Sequence, residues 1–172
     1  MIRDLYRGRI LHLTVEDVTL PNGHTMTLEI VRHPGASAIA AVDAQGRVTL
    51  LRQYRHAVGG YLWEVPAGKL DAGESPETCA ARELAEEAGL VADTLKSAGS
   101  IVTCPGFCDE VIHLFLATDL HTVPNALEAD EVIDTVVTVP LPEALDMIRR
   151  GEIRDAKTIA ALLQADLRIG SR

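Results

Sequence analysis

A single capped segment near the middle of the chain constrains the fold more than any other feature of the sequence. Ser75 is a typical N-cap residue, and Pro76 suits the first helical position because proline lacks the backbone N–H that would stay unpaired there. Gly89 is typical of the left-handed position that ends a helix. The sequence therefore predicts a helix over residues 76–88.

The two faces of this helix differ in chemistry. On a helical wheel of about 100° per residue, Glu83, Glu86 and Glu87 fall on one side. Small or apolar residues fall on the other side, and we expect them to pack on a sheet: Ala81, Leu84, Ala85 and Ala88. A run of carboxylates on a helix usually marks a solvated face. Here the like charges repel one another, and only Arg82 lies close by in sequence to compensate them.

The loop before the helix favours a metal site over a solvated acidic face. Residues 64–74 combine further acidic side chains with glycines, which let a backbone approach the helix closely. Clustered carboxylates on a rigid helix, together with loop carbonyls, form the hard oxygen ligands that magnesium and manganese prefer. The sequence therefore predicts a divalent-metal site between this loop and the helix.

The rest of the chain is rich in strand patterns, with two further helices near its end. We expect strands at residues 9–20, 24–32, 36–42, 48–53, 61–65, 97–103, 111–118 and 132–139, and helices at 141–150 and 155–168. The helices interrupt the strands at irregular intervals. This order indicates an α+β sandwich rather than a regular parallel α/β fold.

Composition limits the classes of protein to consider. The chain has 172 residues, of which 47% are hydrophobic, enough for one globular domain with a core. No apolar run reaches the ~20 residues of a membrane helix, and the first residues lack the apolar stretch of a secretory signal. We therefore expect a cytoplasmic protein without a membrane partner. The formal net charge of −9 argues against a nucleic-acid partner, whereas an anionic small molecule is compatible if a metal offsets the repulsion.

The three cysteines do not form a disulfide framework, because their number is odd and their spacing irregular. Cys104, Cys108 and His113 lie close together in sequence, so a zinc site is one alternative. The spacing is not Cys-x-x-Cys, however, and no fourth ligand is evident. We favour reduced, half-buried thiols at Cys79, Cys104 and Cys108.

The helix and the glycine-containing loop before it follow a known pattern. Gly68 is followed by Glu74 after five residues and, after seven more, by residues 82–90 (RELAEEAGL). This segment resembles the Nudix box, G-x5-E-x7-R-E-U-x-E-E-x-G-U, in which U is bulky and apolar. The sequence fits the pattern at every specified position. The chain is therefore similar to the Nudix hydrolase family.

The resemblance implies a fold and a set of metal ligands. The implied fold is the Nudix-type α/β/α sandwich with a mixed sheet, preceded here by an N-terminal hairpin region. The residues that match the family's metal ligands are Glu83, Glu86 and Glu87, joined by the backbone carbonyl of Ala67 or Gly68. The implied ion is Mg²⁺, with Mn²⁺ as the alternative. Arg82 and Glu74 match framework positions, where the arginine pairs with the earlier glutamate and orients the metal ligands.

The segments that flank the box resemble the ADP-ribose pyrophosphatase branch of the family. They include residues 104–110 (CPGFCDE), with Pro105 sixteen residues after Gly89, and the stretches 52–55 and 63–68. The implied reaction is hydrolysis of ADP-ribose to AMP and ribose 5-phosphate. Enzymes that cleave GDP-mannose or another nucleoside diphosphate sugar are the alternative. A non-catalytic Nudix module that senses a nucleotide is a second alternative, although such modules typically lose box carboxylates that this chain keeps.

Four residues are candidates for substrate binding. Arg55 follows a strand and can fork onto a phosphate or ribose oxygen, or it is simply a solvated arginine. Glu64 can accept hydrogen bonds from a sugar hydroxyl, or it is a charge at a sheet edge. Glu110 can support the site from the Pro105 segment. Leu28 stands where some relatives carry an aromatic residue against the base.

The resemblance also implies a catalytic base late in the chain and a homodimer. The matching segment is the acidic stretch 125–131, in which we favour Glu131 as the base, with Glu128 as the alternative and a merely solvated loop as a third interpretation. Residues 1–33 are expected to form an N-terminal strand region that mediates dimerisation, with or without exchange of strands between the two protomers. Residues 34–172 are expected to form the Nudix domain.

Overall fold

The computed structural model describes residues 1–124, 126 and 132–170, which fold into three sheets and three α-helices. The strands are β1 Ile2–Arg7, β2 His12–Thr19, β3 Thr25–Arg32, β4 Ala36–Ala41, β5 Arg47–Arg55, β6 Gly60–Glu64, β7 Ala67–Lys69, β8 Leu90–Val102, β9 Val111–Thr122 and β10 Ile133–Pro140. The helices are α1 Pro76–Ala88, α2 Leu141–Arg149 and α3 Ala156–Ile169. The predicted α+β fold class is confirmed.

A mixed four-stranded sheet forms the centre of the molecule, with strand order β7-β4-β9-β8. Its strand β4 pairs in parallel with β9 and antiparallel with β7. Helix α1 packs on one face, where Ala80 and Leu84 contact the cluster around Ile39, and α3 packs on the other face with Ala161 and Leu162. Because helices cover both faces, every residue of β4 is buried. The layers are those of the predicted α/β/α sandwich.

A second, antiparallel sheet has the strand order β10-β5-β6. Val48 and Leu50 on β5 are fully buried and join the same core as α2 and α3. This sheet places the ends of β5 and β6, and therefore Arg55 and Glu64, beside the first turn of α3. In the part of the chain that the structure describes, no helix has the length and apolarity needed to cross a membrane.

The N-terminal strands β1-β2-β3 form a third sheet of their own. Residues of β1 are all exposed, whereas β2 buries Thr14, Val15 and Glu16. The sheet is joined to the rest of the molecule through β3, where the Val31 N–H donates to the carbonyl of Phe107 at 2.7 Å. It therefore adds little to the central core and keeps an apolar surface in solvent.

Several local predictions need correction. The helix over 76–88 is confirmed, but its buried face is rotated relative to the apolar wheel: Ala81 is exposed, whereas Glu83 and Glu87 are buried. The interpretation of these two glutamates as a solvated face is therefore wrong. Two strands were not predicted, β1 and the three-residue β7, and β8 begins seven residues earlier than the predicted strand at 97–103.

Candidate active site

Helix α1 and the loop before it hold the box carboxylates against the central sheet. The Ser75 hydroxyl accepts a hydrogen bond from the Thr78 N–H at 3.1 Å, and Gly89 ends the helix in the left-handed conformation with φ of 63°. Within the helix, Glu87 is 1% exposed, and its Oε2 accepts a hydrogen bond from the Ala67 N–H at 2.8 Å. This bond fixes the loop backbone at Ala67 against the helix.

Gly68 approaches the helix more closely than any side chain would permit. A Cβ atom added to Gly68 would lie 1.8 Å from Oε1 and 2.1 Å from Cδ of Glu83. Contacts below 3.0 Å are essentially never made by real Cβ atoms, so any residue other than glycine would displace the Glu83 carboxylate. Position 68 must therefore be glycine if the Glu83 carboxylate is to stay where it is.

Arg82 connects the acidic residues of the site through its guanidinium group. It donates from Nε and Nη2 to the two carboxylate oxygens of Glu74, both at 2.9 Å, and from Nη1 to Glu83 at 2.6 Å and Glu86 at 3.0 Å. These hydrogen bonds and charges raise the pKa of Arg82. Mainly because it accepts from Arg82, Glu74 has its pKa lowered to about 2. The geometry shows the pairing of Arg82 with Glu74 that the sequence analysis expected.

The donor set of the helix fits a hard divalent cation. Glu83 and Glu86 both approach one positively charged nitrogen, Nη1 of Arg82, so the two carboxylates can serve a single cationic centre. Glu87 lies one turn from Glu83, and the loop backbone at Ala67 is hydrogen-bonded to it. Among the described residues, no three His, Cys, Asp or Glu side chains are already gathered around one metal position.

A cavity of about 480 Å³ opens beside these carboxylates. Five of the predicted site residues line it together, and these are Arg55, Ala67, Glu83, Glu87 and Glu110. Its volume falls in the range of small-molecule sites. The cavity therefore joins the box to the strand end at Arg55 and to the segment after Pro105.

Glu64, Glu86 and Leu28 are not among the described residues that line the cavity. The side chain of Glu64 is 2% exposed and lies beneath Arg55, which donates to its two oxygens from Nε at 2.8 Å and from Nη2 at 2.7 Å. Glu86 is half-buried beside Arg82, and Leu28 lies on β3 opposite Glu16. Burial alone would raise the pKa of Glu64, but the hydrogen bond from Arg55 and the charge of Lys157 hold it below its usual value.

Sequence reasoning missed the residues that the start of α3 brings to the cavity. Lys157 donates to Glu64 at 2.5 Å and to Asp155 at 3.0 Å, and Asp155 and Lys157 both line the cavity. The N-cap pattern of Asp155 before a helix was visible in the sequence. The contact of Lys157 with Glu64 was not, because these two residues are 93 positions apart in sequence and no local pattern records such a contact.

The segment after β8 also reaches the cavity, which Thr103 and Glu110 line. The Asp109 carboxylate accepts from Arg32 at 2.9 Å and from the His33 N–H at 2.8 Å, and Glu110 lies 3.3 Å from Nδ1 of His33. These contacts place Glu110 at the cavity wall and tie the segment to β3. Within the described ranges the zinc alternative finds no support, since no metal-binding group of side chains forms around Cys104 and Cys108. All three cysteines are free, but the expectation of half-buried thiols holds only for Cys108: Cys104 is exposed and Cys79 fully buried.

The two candidates for the catalytic base, Glu128 and Glu131, lie outside the described residues. The described positions on either side are Ala126, whose N–H donates to the Glu86 carbonyl at 3.1 Å, and Val132. Both candidates remain predictions from the sequence.

Comparisons with known proteins agree on the family. A model of the NUDIX domain matches residues 31–162. The chain is 42% identical to the methanol dehydrogenase activator of Bacillus methanolicus, over 92% of this chain and 86% of that one. It is 41% identical to the ADP-ribose pyrophosphatase of Bacillus subtilis, over 95% and 89%. The crystal structure of an ADP compounds hydrolase superposes with a TM-score of 0.85 at 23% identity, covering 99% of this chain and 92% of that one. Because the domain model matches most of the chain and the box is complete, the chain belongs to the Nudix family.

Proposed function

We propose that this protein is a divalent-metal-dependent pyrophosphohydrolase that converts ADP-ribose and water to AMP and ribose 5-phosphate. The observation that carries the proposal is the cavity that joins Glu83 and Glu87 of the box to Arg55 and Glu110. Relatives named ADP-ribose pyrophosphatase are 41% and 44% identical to this chain and support this substrate. The match of the flanking segments to the ADP-ribose pyrophosphatase branch supports this substrate.

The metal is proposed to be Mg²⁺, with Mn²⁺ as the alternative. Glu83, Glu86 and Glu87 would hold it, with the backbone carbonyl of Ala67 as a further oxygen ligand. When bound, such an ion neutralises charge on the pyrophosphate and makes water a stronger acid. Arg82 stays on Glu74 and keeps the helix carboxylates in place.

The remaining roles belong to side chains around the cavity. Arg55 presents a guanidinium group to a phosphate or ribose oxygen, and Glu110 supports the site from the segment after Pro105. Glu64 acts from beneath by orienting Arg55 rather than by contacting the sugar itself. Glu131, or Glu128 in its place, accepts the proton from the attacking water. Because nucleoside diphosphate sugars are intracellular metabolites, we expect the enzyme to act in the cytoplasm.

We further propose that the protein acts as a homodimer through its N-terminal sheet, so that residues 1–33 serve association and residues 34–172 serve catalysis. Supporting this, β1 and the turn after it leave large apolar side chains in solvent: Ile2 67%, Leu5 55%, Tyr6 59%, Ile10 46% and Leu11 51% exposed. Several large apolar side chains exposed along one strand and the turn after it are typical of an interface. The turn also brings Arg9 and Ile10 to the cavity wall, so association and substrate binding share one region.

A substrate panel tests the proposed activity. Product formation is measured from ADP-ribose, GDP-mannose and a nucleoside triphosphate, each with and without Mg²⁺. We expect metal-dependent release of AMP from ADP-ribose at the highest kcat/KM. Preference for GDP-mannose would agree with the proposed site but contradict ADP-ribose as the substrate. Binding of all three compounds without turnover would contradict the enzymatic activity and favour the nucleotide-sensing module.

A further inference from the structure

The first turn of α3 delivers a lysine to a buried carboxylate behind the cavity wall. Asp155 caps the helix by accepting from the Thr158 N–H at 2.9 Å and from the Thr158 hydroxyl at 2.6 Å. The Thr158 oxygen in turn accepts from the Val65 N–H at 2.9 Å, which ties the helix start to the end of β6. With the helix anchored there, Lys157 reaches Glu64 at 2.5 Å.

Four charged side chains form a chain of ion pairs at this point, in the order Arg55, Glu64, Lys157 and Asp155. Their formal charges cancel, and their burial is graded. The side chain of Glu64 is 2% exposed and that of Lys157 13%, whereas Arg55 is 39% exposed. The buried carboxylate therefore has two cationic partners, and Arg55 is the more exposed of the two.

We propose that Lys157 is a positioning residue for substrate binding: by holding the Glu64 carboxylate, it allows Arg55 to share its guanidinium with an anionic oxygen of the substrate. This inference rests on the proposed function, since it assigns a role within the same cavity. Lys157 acts through Glu64 and Arg55 and is not itself placed on the reacting atoms.

The cost of burying a charge explains why two cations are needed. A carboxylate as buried as Glu64 is strongly unfavourable without a partner. If Arg55 were its sole cation, any phosphate that drew the guanidinium outward would leave Glu64 uncompensated. Lys157 would remove that penalty because its hydrogen bond to Glu64 does not involve Arg55. The benefit falls on substrate affinity and leaves the metal site untouched.

Replacement of the lysine provides the first test. We expect Lys157→Met to raise KM for ADP-ribose about tenfold or more while kcat changes less than about threefold, because the lost interaction concerns binding. Lys157→Arg keeps the charge and should restore a KM close to wild type. Lys96→Met removes the same charge from an exposed position on β8 and should leave both constants unchanged. A Lys157→Met variant that only melts earlier, with kcat and KM unchanged or reduced together, would overturn the proposal.

A second background separates an indirect from a direct role. In Glu64→Gln the buried position carries no charge, so adding Lys157→Met should change KM less than about twofold. An undiminished tenfold effect in that background would mean that Lys157 contacts the substrate directly, and the positioning role would be wrong. Both variants of this pair leave no buried charge without a partner, so the double variant is expected to fold.

Calorimetric titration with ADP, in the absence of a divalent ion, needs no turnover. We expect Lys157→Met to weaken ADP binding about tenfold in the wild-type background and less than about twofold in Glu64→Gln. Equal affinity of wild type and Lys157→Met for ADP would overturn the proposal. A wild-type protein that binds ADP but leaves ADP-ribose intact would contradict the proposed function, and the ADP titration would then decide on Lys157 alone.

Discussion

Glu83 and Glu87 are carboxylates buried between a helix and a sheet, where an isolated charge would be strongly unfavourable. Each has a defined hydrogen bond that offsets this cost: Glu83 accepts from Arg82 at 2.6 Å, and Glu87 accepts from the Ala67 N–H at 2.8 Å. The same bonds fix where the oxygens lie. The residues that make burial tolerable therefore also preorganise the proposed metal ligands.

Gly68→Ala tests this preorganisation at the residue scale. The added methyl would overlap the Glu83 carboxylate, at the far end of a flexible side chain, so the fold should survive while the ligand is displaced. We expect the Mg²⁺ concentration for half-maximal activity to rise by about 10- to 100-fold. Gly60→Ala is the matched control, because a Cβ there meets nothing within 4 Å. An unchanged metal requirement in Gly68→Ala would contradict the role of the close contact.

The lowered pKa of Glu74 predicts how the stability of the protein changes in acid. Its pKa is lowered from 4.5 to about 2 in the folded protein, chiefly by hydrogen bonds from Arg82. A carboxyl whose pKa is lowered on folding stabilises the protein above its unfolded pKa and loses that contribution as pH falls. The wild type should therefore exceed Glu74→Gln in unfolding free energy at pH 6, and the difference should shrink between about pH 4.5 and 2. Urea denaturation across this range measures it; a difference independent of pH would contradict the assignment.

At the scale of elements, helix α1 shows what local sequence can specify. Its caps at Ser75 and Gly89 gave correct ends, because capping depends on a few adjacent residues. The exposed strand β1 and the three-residue β7 were missed, since neither carries an alternating apolar pattern. The buried face of α1 was misplaced because the wheel counted apolar side chains, whereas the fold buries carboxylates that have partners.

The candidate site combines residues that a local sequence pattern identifies with a contact that only the structure shows. The metal-ligand candidates were found because the box confines them to one helix and one loop. The contact of Glu64 with Lys157 depends on α3 packing beside β6, and a sequence pattern does not record packing between distant elements. Long-range partners of this kind become visible only in the folded structure.

Ser75→Ala tests the capping of α1. The Ser75 hydroxyl accepts from the Thr78 N–H at 3.1 Å, and its loss should lower the free energy of unfolding by about 1 kcal/mol. Ser75→Asp keeps an acceptor and adds a negative charge at the helix N-terminus, so it should retain the stability. Chemical denaturation provides the comparison. Equal stability of Ser75→Ala and wild type would show that the Ser75 cap contributes nothing to the free energy of unfolding.

At the scale of the whole molecule, charge is distributed unevenly. The chain carries a formal net charge of −9, whereas the described residues that line the cavity carry no net charge. Five of them are basic, Arg9, Arg55, Lys69, Arg82 and Lys157, and five are acidic, Asp71, Glu83, Glu87, Glu110 and Asp155. The cavity is therefore less negative than the protein as a whole, and a bound divalent cation would make it positive enough to attract a nucleoside diphosphate.

The exposed apolar surface of β1 makes a prediction about assembly. We expect sedimentation velocity to show a dimer for the wild type and a monomer for Leu5→Asp, because a buried interface would not accept the carboxylate. Leu163→Asp changes a leucine on α3 that is 47% exposed and should remain dimeric. A monomeric wild type at working concentration would contradict the proposed dimer.

The most direct test of the central claim is AMP formation from ADP-ribose by wild type and Glu87→Gln over a range of Mg²⁺ concentrations. The amide oxygen of the substituted side chain can still accept the hydrogen bond from the Ala67 N–H, so Glu87→Gln should fold and melt as the wild type does. We expect its turnover to fall about 100-fold or more, because a metal ligand contributes several kcal/mol to the transition state. Wild-type turnover in Glu87→Gln would contradict the assignment of the helix carboxylates as the metal site.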